Sequence, residues 1–525
     1  MSVQVEGEHI GSPLLRSFLA TLIAEIVGDI INLGTLLIQP PRPAEGAALR
    51  ESCGIFGVYA PGEDVARLAF FGLYSLQHRG QESSGIATAD GTRIRLHAAM
   101  GLVAQVFTEP ILDQLRGNIA IGHNRYSTRG SSRVANAQPI RVPSPLGDLA
   151  LGHNGNIVNA EYLRKELEEK GYSFSTSTDS EVIAHLIASS PGNNLVEKAR
   201  FAMGRLAGAY SLVILTKDTL LGVRDPMGVR PLCLGSLDGG WVVASESCAL
   251  DHLGAQYLRA VEPGEVVLMD SHGLSSFKAA TPERRALCIF EFIYFARPDS
   301  VIGGRRLYPT RRAMGEQLAR EHPVPADLVI GVPDSATAAG IGYSVASGIT
   351  FTEGLLKNRY VGRTFIEPEQ RLRELGVKLK FNPMPEVLAG KRLVVVDDSI
   401  VRGTTTPKVI SLLRRAGAKE VHIRICAPPI RYPCFFGVDM ATRGELIAAQ
   451  KSIPEIAEFI GADSLGYQSI DGLIRAVDLP RESFCLACFT GEYPIPVQLE
   501  MDKLALEVPR VAGDEKEYCE EIAEK

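Results

Sequence analysis

The chain reads as a two-domain α/β and α+β protein, and three stretches carry that reading. Residues 393–396 are a short β-branched run that suits a fully buried parallel strand; residues 408–416 then set Val409, Leu412, Leu413 and Ala416 at helical spacing before Gly417 closes the helix. Residues 328–332 and 421–425 are further apolar runs separated by helical stretches, the alternation that a parallel sheet requires. From Cys53 to about Glu283 the text is instead rich in short alternating strands and glycine turns, including residues 210–215 and 241–244, which fits a layered α/β arrangement. The cluster Thr281-Pro282-Glu283-Arg284-Arg285 marks the boundary, giving parts 53–283 and 284–508 with a charged, glycine-interrupted tail at 509–525.

The strand at 393–396 ends in Asp397-Asp398-Ser399-Ile400-Val401-Arg402-Gly403-Thr404-Thr405, so this loop joins strand to helix. Backbone N–H groups at a helix N-terminus, freed further by Gly403, form an anion site, and Thr404 and Thr405 add hydroxyl donors. A phosphate fits there. Asp397 and Asp398 are neighbours at a strand end and project to opposite sides, so one can serve ribose hydroxyls and the other a hydrated Mg²⁺. A plain acidic helix cap would account for the aspartates but not for the serine, arginine, glycine and threonines that follow.

This segment resembles the phosphoribosylpyrophosphate motif of type I phosphoribosyltransferases. Gly331-Val332-Pro333-Asp334-Ser335-Ala336 resembles that fold's pyrophosphate-side loop, which implies Ser335 near the metal with Asp397 and Asp398. Residues 357–365, beginning Lys357-Asn358-Arg359 and including Arg363, are similar to the closing loop of one family, the glutamine phosphoribosylpyrophosphate amidotransferases. That resemblance implies substrate binding by Lys357, Arg363, Arg402, Gly403, Thr404 and Thr405, and an ammonia passage lined by apolar members of 360–366.

The front part supports the same family through separate chemistry. Cys53-Gly54-Ile55-Phe56-Gly57-Val58 resembles the start of N-terminal-nucleophile glutaminase domains, in which the cysteine is the first residue of the mature enzyme. A free α-amine on Cys53 would serve as base for its own thiol, so the chemistry requires a break after Ser52. Gln77-His78-Arg79-Gly80-Gln81, His123-Asn124-Arg125-Tyr126, His153-Asn154-Gly155-Asn156 and Thr178-Asp179-Ser180-Glu181 occur in the family's order. Free glutamine is a zwitterion carrying an amide, so its site needs a cation, an anion and oxyanion donors. The resemblance implies Arg125 for the α-carboxylate, Asp179 for the α-amine, and Asn154 with the Gly155 N–H as the oxyanion hole. It also implies a four-layer αββα glutaminase followed by a type I phosphoribosyltransferase parallel-sheet domain.

Nine cysteines without a recognisable export signal argue against a disulfide framework and for metal or catalytic use. Cys485 and Cys488 stand at chelating spacing, while Cys288 and Cys434 could meet them only in the fold. Spacing alone leaves Zn²⁺ and an iron–sulfur cluster both open. The segments around these four resemble the ligand segments of family members that carry a [4Fe–4S] cluster and a cleaved propeptide. Cys233, Cys248, Cys426 and Cys519 read as buried or incidental thiols.

At 525 residues, 45% hydrophobic and 22% charged, the composition is ordinary for a globular protein, and a net charge of −6 with no strongly basic tract speaks against nucleic acid. Residues 1–52 depart from the family. Leu15, Leu19, Leu22, Ile26, Ile30, Leu33 and Leu37 share one helical stripe opposed by Thr21, Glu25, Asp29 and Asn32. Glu25 and Asp29 in mid-stretch are costly in a bilayer, and Glu6 and Glu8 stand in place of a basic n-region, so neither a membrane span nor a signal is expected. The segment is either a propeptide or an extension from an upstream start.

The expectation is therefore a cytoplasmic, homotetrameric enzyme that uses glutamine and phosphoribosylpyrophosphate, with Mg²⁺ and a [4Fe–4S] cluster, feedback-inhibited by purine nucleotides, and with no membrane partner. An amidotransferase making glucosamine phosphate would need a sugar isomerase half in place of the Asp397 loop. A nucleotide-sensing regulator that retains the phosphoribosyltransferase fold would not need Cys53, Arg125, Asn154 and Asp179 together.

Overall fold

The computed structural model describes residues 53–126, 130–280, 284–358, 381–439, 442–497 and 506, all within one compact unit. The amphipathic stretch at 1–52, the boundary residues 281–283, Arg363 with the rest of 360–366, Cys519 and the tail 509–525 lie outside the described residues.

The first half is built from thirteen described strands: β1 (Gly54–Tyr59), β2 (Ser83–Ala89), β3 (Ile94–Met100), β4 (Ile119–Arg125), β5 (Ile140–Val142), β6 (Leu149–Ile157), β7 (Gly208–Leu215), β8 (Leu220–Arg224), β9 (Cys233–Leu237), β10 (Gly240–Ala244), β11 (Gln256–Ala260), β12 (Glu265–Asp270) and β13 (Gly273–Lys278). They form two antiparallel sheets, ordered β11-β9-β10-β1-β4-β2-β3 and β13-β12-β8-β7-β6-β5. β1 lies between β10 and β4 and is buried along its whole length, which explains its unbroken apolar text. Alternation then sorts its side chains. Ile55 joins Ala150, Val213 and Leu220 in the core between the sheets, while Phe56 faces the opposite way, under the helix Val65–Ser75. Gly72 of that helix stands where a Cβ would fall 2.4 Å from the Phe56 ring, so glycine allows the close approach. Helices Ala160–Glu169, Asp179–Ser189 and Leu195–Met203 cover the outer face of the second sheet, completing four αββα layers.

The second half opens with β14 (Leu287–Cys288) and a wide helical turn, Glu291–Phe295. A small hairpin follows, β15 (Val301–Ile302) with β16 (Arg305–Arg306). Its main sheet is parallel, with β17 (Leu328–Gly331) beside β20 (Arg392–Asp397), then β21 (Glu420–Ile425) and β22 (Ser464–Tyr467); the antiparallel pair β18 (Leu355–Lys357) and β19 (Phe381–Pro383) lies between β17 and β20 in the chain. Because β20 is an inner strand, Asp397 and Asp398 emerge at the centre of the sheet's carboxyl edge, where open α/β sheets bind ligands. The following helix runs Thr406–Arg415, two residues ahead of the expected start, because Pro407 fits a first turn in which its missing N–H is not needed. β23 (Phe484–Cys485) pairs in parallel with β14 and sets Cys288 opposite Cys485.

A buried ion network joins the halves. Arg79 pairs with Glu246 and with Glu291 (2.8 Å), and Arg230 reaches Glu291 at 3.3 Å, all four side chains being fully buried. Burial works against the charge on Arg79, but Glu291 and Glu246 outweigh it and hold the guanidinium well above its usual range. Glu246 is likewise disfavoured by burial yet held ionised, below the carboxylate range, by His78 and Arg79. Removing one partner of such a pair leaves an uncompensated buried charge, at a cost of about 3–5 kcal/mol. Glu291→Ala should therefore lower the denaturation midpoint strongly, whereas Arg141→Ala, which breaks an exposed 3.9 Å pair with Asp148, should barely move it. Equal midpoints for the two variants would show that the network does not hold the halves.

Candidate active sites

Cys53 immediately precedes β1 and is 5% exposed. Its sulfur lies 3.4 Å from both the N–H and the carbonyl oxygen of Tyr126. Burial pushes the thiol up, against the Tyr126 hydrogen bond and the nearby Arg125 guanidinium, which pull it down. A protonated thiol is a poor nucleophile, so this cysteine requires a base. Around it Arg125, His153, Gly155 and Asp179 wall a cavity of about 10 Å³, roughly the space one water occupies, so admitting glutamine requires the cavity to open. Arg125, at the end of β4, is buried against Glu82 and bonds the Ser131 carbonyl at 3.3 Å. Asp179, first in its helix, accepts from the Ile157 N–H (3.1 Å) and stands 3.6 Å from His153 Nδ1. His123, bonded through Nε2 to the His153 carbonyl, is pushed down to about 3 by burial and is therefore neutral.

Of the expected glutamine residues, Asn154 alone is absent from this cavity wall. Strand parity explains its position: Ala150 of β6 faces the space between the sheets, as does Ile55 of β1, so Asn154 and Cys53, each an even number of residues away, also belong to that interior. Asn154 is fully buried, and among the described residues neither atom of its amide has a hydrogen-bond partner. Leaving a buried amide unpaired is costly, and its persistence here suits a donor held for a ligand.

The second site is a cleft of about 360 Å³ at the carboxyl edge of the parallel sheet, within the usual range for small-molecule sites. Asp334, Ser335, Lys357, Asp397, Asp398 and residues 402–405 line it. Ser335 Oγ and Ser399 Oγ each donate to Asp398 at 2.6 Å, Lys357 Nζ lies 2.6 Å from Asp334, and Arg402 pairs with Glu445 at 2.8 Å. Gly403 has φ +70° and would place a Cβ 2.6 Å from Ile447, so the turn admits only glycine without strain. Two wall residues were not foreseen from sequence. Arg311 is buried, donates to the Phe292 and Ala296 carbonyls, and has its pKa lowered by burial. His78, from the first half, lines the cleft while its Nε2 meets Glu246 at 2.7 Å. The next residue, Arg79, donates to the Cys53 carbonyl at 3.2 Å, so two consecutive residues reach the two sites, one each.

Cys288, Cys485 and Cys488 converge with Cys434 closely enough to disturb one another. Burial pushes Cys288 and Cys485 up to about 12, and the neighbouring thiols push further the same way. Arg431 and Tyr432 N–H groups bond the Cys488 carbonyl at 2.9 and 3.1 Å, tying the Cys434 segment to the Cys488 segment. Among the described residues no three His, Cys, Asp or Glu side chains are gathered as ligands around a single ion. Nor is any described helix long and apolar enough to cross a membrane.

Residues 123–252 match the glutamine amidotransferase domain family. The amidophosphoribosyltransferase of Synechococcus elongatus is 52% identical over 90% of this chain and 96% of its own, and that of Archaeoglobus fulgidus is 50% identical over 85% and 98%. Among solved structures, glutamine phosphoribosylpyrophosphate amidotransferase from B. subtilis, complexed with ADP and GMP, superposes with a TM-score of 0.81 at 45% identity, covering 86% of this chain and 99% of that one. The two sheets, the two cavities and these relatives together establish that the chain belongs to the amidophosphoribosyltransferase family.

Proposed function

We propose that Cys53 and the 397–405 loop are the two chemical centres of one reaction, the glutamine-dependent amination of phosphoribosylpyrophosphate to 5-phosphoribosylamine, with release of pyrophosphate and glutamate. This is the first committed step of de novo purine biosynthesis. Residues 53–283 are the glutaminase domain and 284–508 the phosphoribosyltransferase domain. The observation that carries the assignment is the convergence of Cys53, Arg125, Gly155 and Asp179 on one closed cavity, with Ser335, Lys357, Asp397 and Asp398 on a second, inside one compact unit.

Arg125 binds the α-carboxylate of glutamine and Asp179 its α-amine. Cleavage after Ser52 frees the Cys53 amine, which takes the thiol proton that burial otherwise retains. Sγ attacks the amide carbon; the oxyanion forms toward Asn154 Nδ2 and the Gly155 N–H, ammonia leaves, and water releases glutamate from the γ-glutamyl thioester. Residues 1–52 are then either a propeptide or an extension from an upstream start. In bulk water at neutral pH ammonia is mostly ammonium, which is not nucleophilic, so direct passage between the sites preserves its lone pair.

In the cleft, Thr404, Thr405, Gly403 and Arg402 at the start of the helix Thr406–Arg415 bind phosphate, and Lys357 and Arg363 approach the pyrophosphate. Ammonia displaces pyrophosphate from the anomeric carbon. Asp397, Asp398 and Ser335 offer hard oxygen donors in a cleft roomy enough for substrate phosphates, the setting in which Mg²⁺ binds through one or two carboxylates. When bound, Mg²⁺ supplies charge neutralisation for the leaving pyrophosphate. Cys288, Cys434, Cys485 and Cys488 hold a [4Fe–4S] cluster with a structural role, supported by the pairing of Cys288 with Cys485 and the mutual influence of the four thiols. Purine nucleotides act as feedback inhibitors, a reading supported by the ADP and GMP in the B. subtilis relative. The enzyme works as a cytoplasmic homotetramer.

The two centres should be separable by mutation. Cys53→Ala should abolish glutamine-dependent synthesis yet retain synthesis from concentrated ammonia, while Asp397→Ala should remove both and spare basal glutamine hydrolysis. Asn154→Ala should lower glutaminase turnover roughly 10²- to 10³-fold. Loss of ammonia-dependent synthesis in a folded Cys53→Ala protein would contradict two separate sites, and a loss under about tenfold for Asn154→Ala would reassign it to structure. Anaerobically purified protein should contain about four iron atoms per chain and lose activity in air. Zinc without iron would overturn the cluster assignment and leave both catalytic sites standing.

A further inference from the structure

Gly155 is confined from two sides by backbone. Its φ is +148°, and a Cβ would fall 2.0 Å from the Ala209 carbonyl oxygen on β7. On another side stands Gly437 of the transferase domain, at φ +97°, where a Cβ would lie 2.8 Å from the Gly155 carbonyl carbon and 3.0 Å from its Cα and oxygen. Two glycines from opposite domains thus meet with no side chain between them. Neighbouring bonds fix the approach: Asn156 Nδ2 donates to the Phe435 carbonyl at 2.8 Å, and Arg230 donates to the Phe436 carbonyl through Nε (3.0 Å) and Nη2 (2.8 Å). The Phe436 N–H meets the Cys434 sulfur at 3.4 Å.

Glycine is the residue least able to hold its own peptide orientation, yet an oxyanion donor acts only when aimed at the place where charge develops. Pairing of β6 with β7 fixes one side of Gly155, and the other side is met by Gly437. We propose that residues 434–437 of the transferase domain are a positioning element for the glutaminase oxyanion hole, with Gly437 as a backstop against the Gly155 Cα and the Gly155–Asn156 peptide that fixes Gly155 and, through its Cα, the aim of its N–H. This rests on the reading of Gly155 as an oxyanion donor. Gly437 touches no substrate in this account; it acts through Gly155. The consequence is that the glutaminase domain does not complete its own active site, since the transferase domain supplies one wall of the hole.

The test uses the processed, iron-loaded enzyme carrying Gly437→Ala and, separately, Asn156→Ala, which removes one anchor of the loop without a strained φ. Four quantities are read: glutaminase kcat, glutamine KM, ammonia-dependent synthesis, and affinity for glutamate γ-semialdehyde, whose hemithioacetal with Cys53 places an oxygen in the hole. A displacement of about 1 Å at a reacting centre costs on the order of 10²-fold, so Gly437→Ala should lower kcat at least about tenfold and weaken semialdehyde binding in step. Glutamine KM, ammonia-dependent synthesis and the rate at which iodoacetamide alkylates Cys53 should stay near their starting values, and Asn156→Ala should move kcat in the same direction by less. Full kcat in both variants overturns the proposal, as does a fall in kcat without weaker semialdehyde binding. If Gly437→Ala does not fold, Asn156→Ala decides alone by the same criteria. A strong effect of Asn154→Ala beside silent Gly437→Ala and Asn156→Ala would refute the backstop and keep the oxyanion assignment; silence in all three would refute both.

Discussion

Two arginines and two glutamates with no exposure to solvent, Arg79, Arg230, Glu246 and Glu291, form the node on which both sites depend. Taking a charge out of water costs several kcal/mol even after relaxation, so such a group survives only when its partners are complete and well placed. The remaining donors and acceptors of the node are met by functional elements. Arg79 bonds the Cys53 carbonyl, Arg230 the Phe436 carbonyl, and Glu246 accepts from the Arg297 N–H (2.9 Å) and Ser300 Oγ (2.7 Å) at the rim of the cleft. Nucleophile, cysteine loop and cleft wall are therefore referenced to one neutral cluster. None of them can shift far without leaving a buried charge unpaired.

The two cavities differ as their chemistries require. The cavity at Cys53 is closed and low in dielectric, which strengthens each fixed dipole around the thiol, and burial favours the protonated thiol. The cleft is larger and lined with carboxylates and hydroxyls, which suits the charged, phosphate-bearing substrate proposed for it. Cys426 illustrates the contrast. It lies behind Asp397 and Asp398, its N–H bonded to the Asp397 carbonyl at 3.0 Å, and burial together with the two aspartates pushes its thiol far up. Arg311 alone acts against that rise, whereas at Cys53 the Tyr126 hydrogen bond and the Arg125 guanidinium both offset part of the burial.

Much of this was legible in the chain because the chemistry is local. The strand expected at 393–396 is the buried core of Arg392–Asp397, the run at 421–425 lies in Glu420–Ile425, and residues 210–215 fall within Gly208–Leu215. Cys53, Arg125, Gly155 and Asp179 were each recognisable from neighbours within a few positions. What could not be read were contacts between distant segments. Arg79 and Glu291 are 212 residues apart, and nothing beside either marks it as buried. Arg311 sits in a helix whose text, Thr310-Arg311-Arg312, looks like an exposed basic face; only the packing of Leu307–Glu321 against the wide turn at Glu291–Phe295 turns Arg311 inward. The meeting of Gly155 with Gly437 leaves no trace in sequence, since a glycine within a strand and another in a distant loop show nothing until their backbones touch.

In the proposed reaction both cavities act together, and ammonia passes from Cys53 to the phosphoribosyl carbon inside the protein. The most direct measurement supplies [amide-¹⁵N]glutamine and phosphoribosylpyrophosphate in the presence of excess unlabelled ammonium, under conditions where the glutamine-dependent rate dominates, and determines the isotope in the phosphoribosylamine formed. Direct transfer predicts that the product carries the glutamine label nearly undiluted. A product labelled only at the ratio set by bulk ammonia would show that the two cavities exchange through solvent, and the account of a single coupled enzyme would fall.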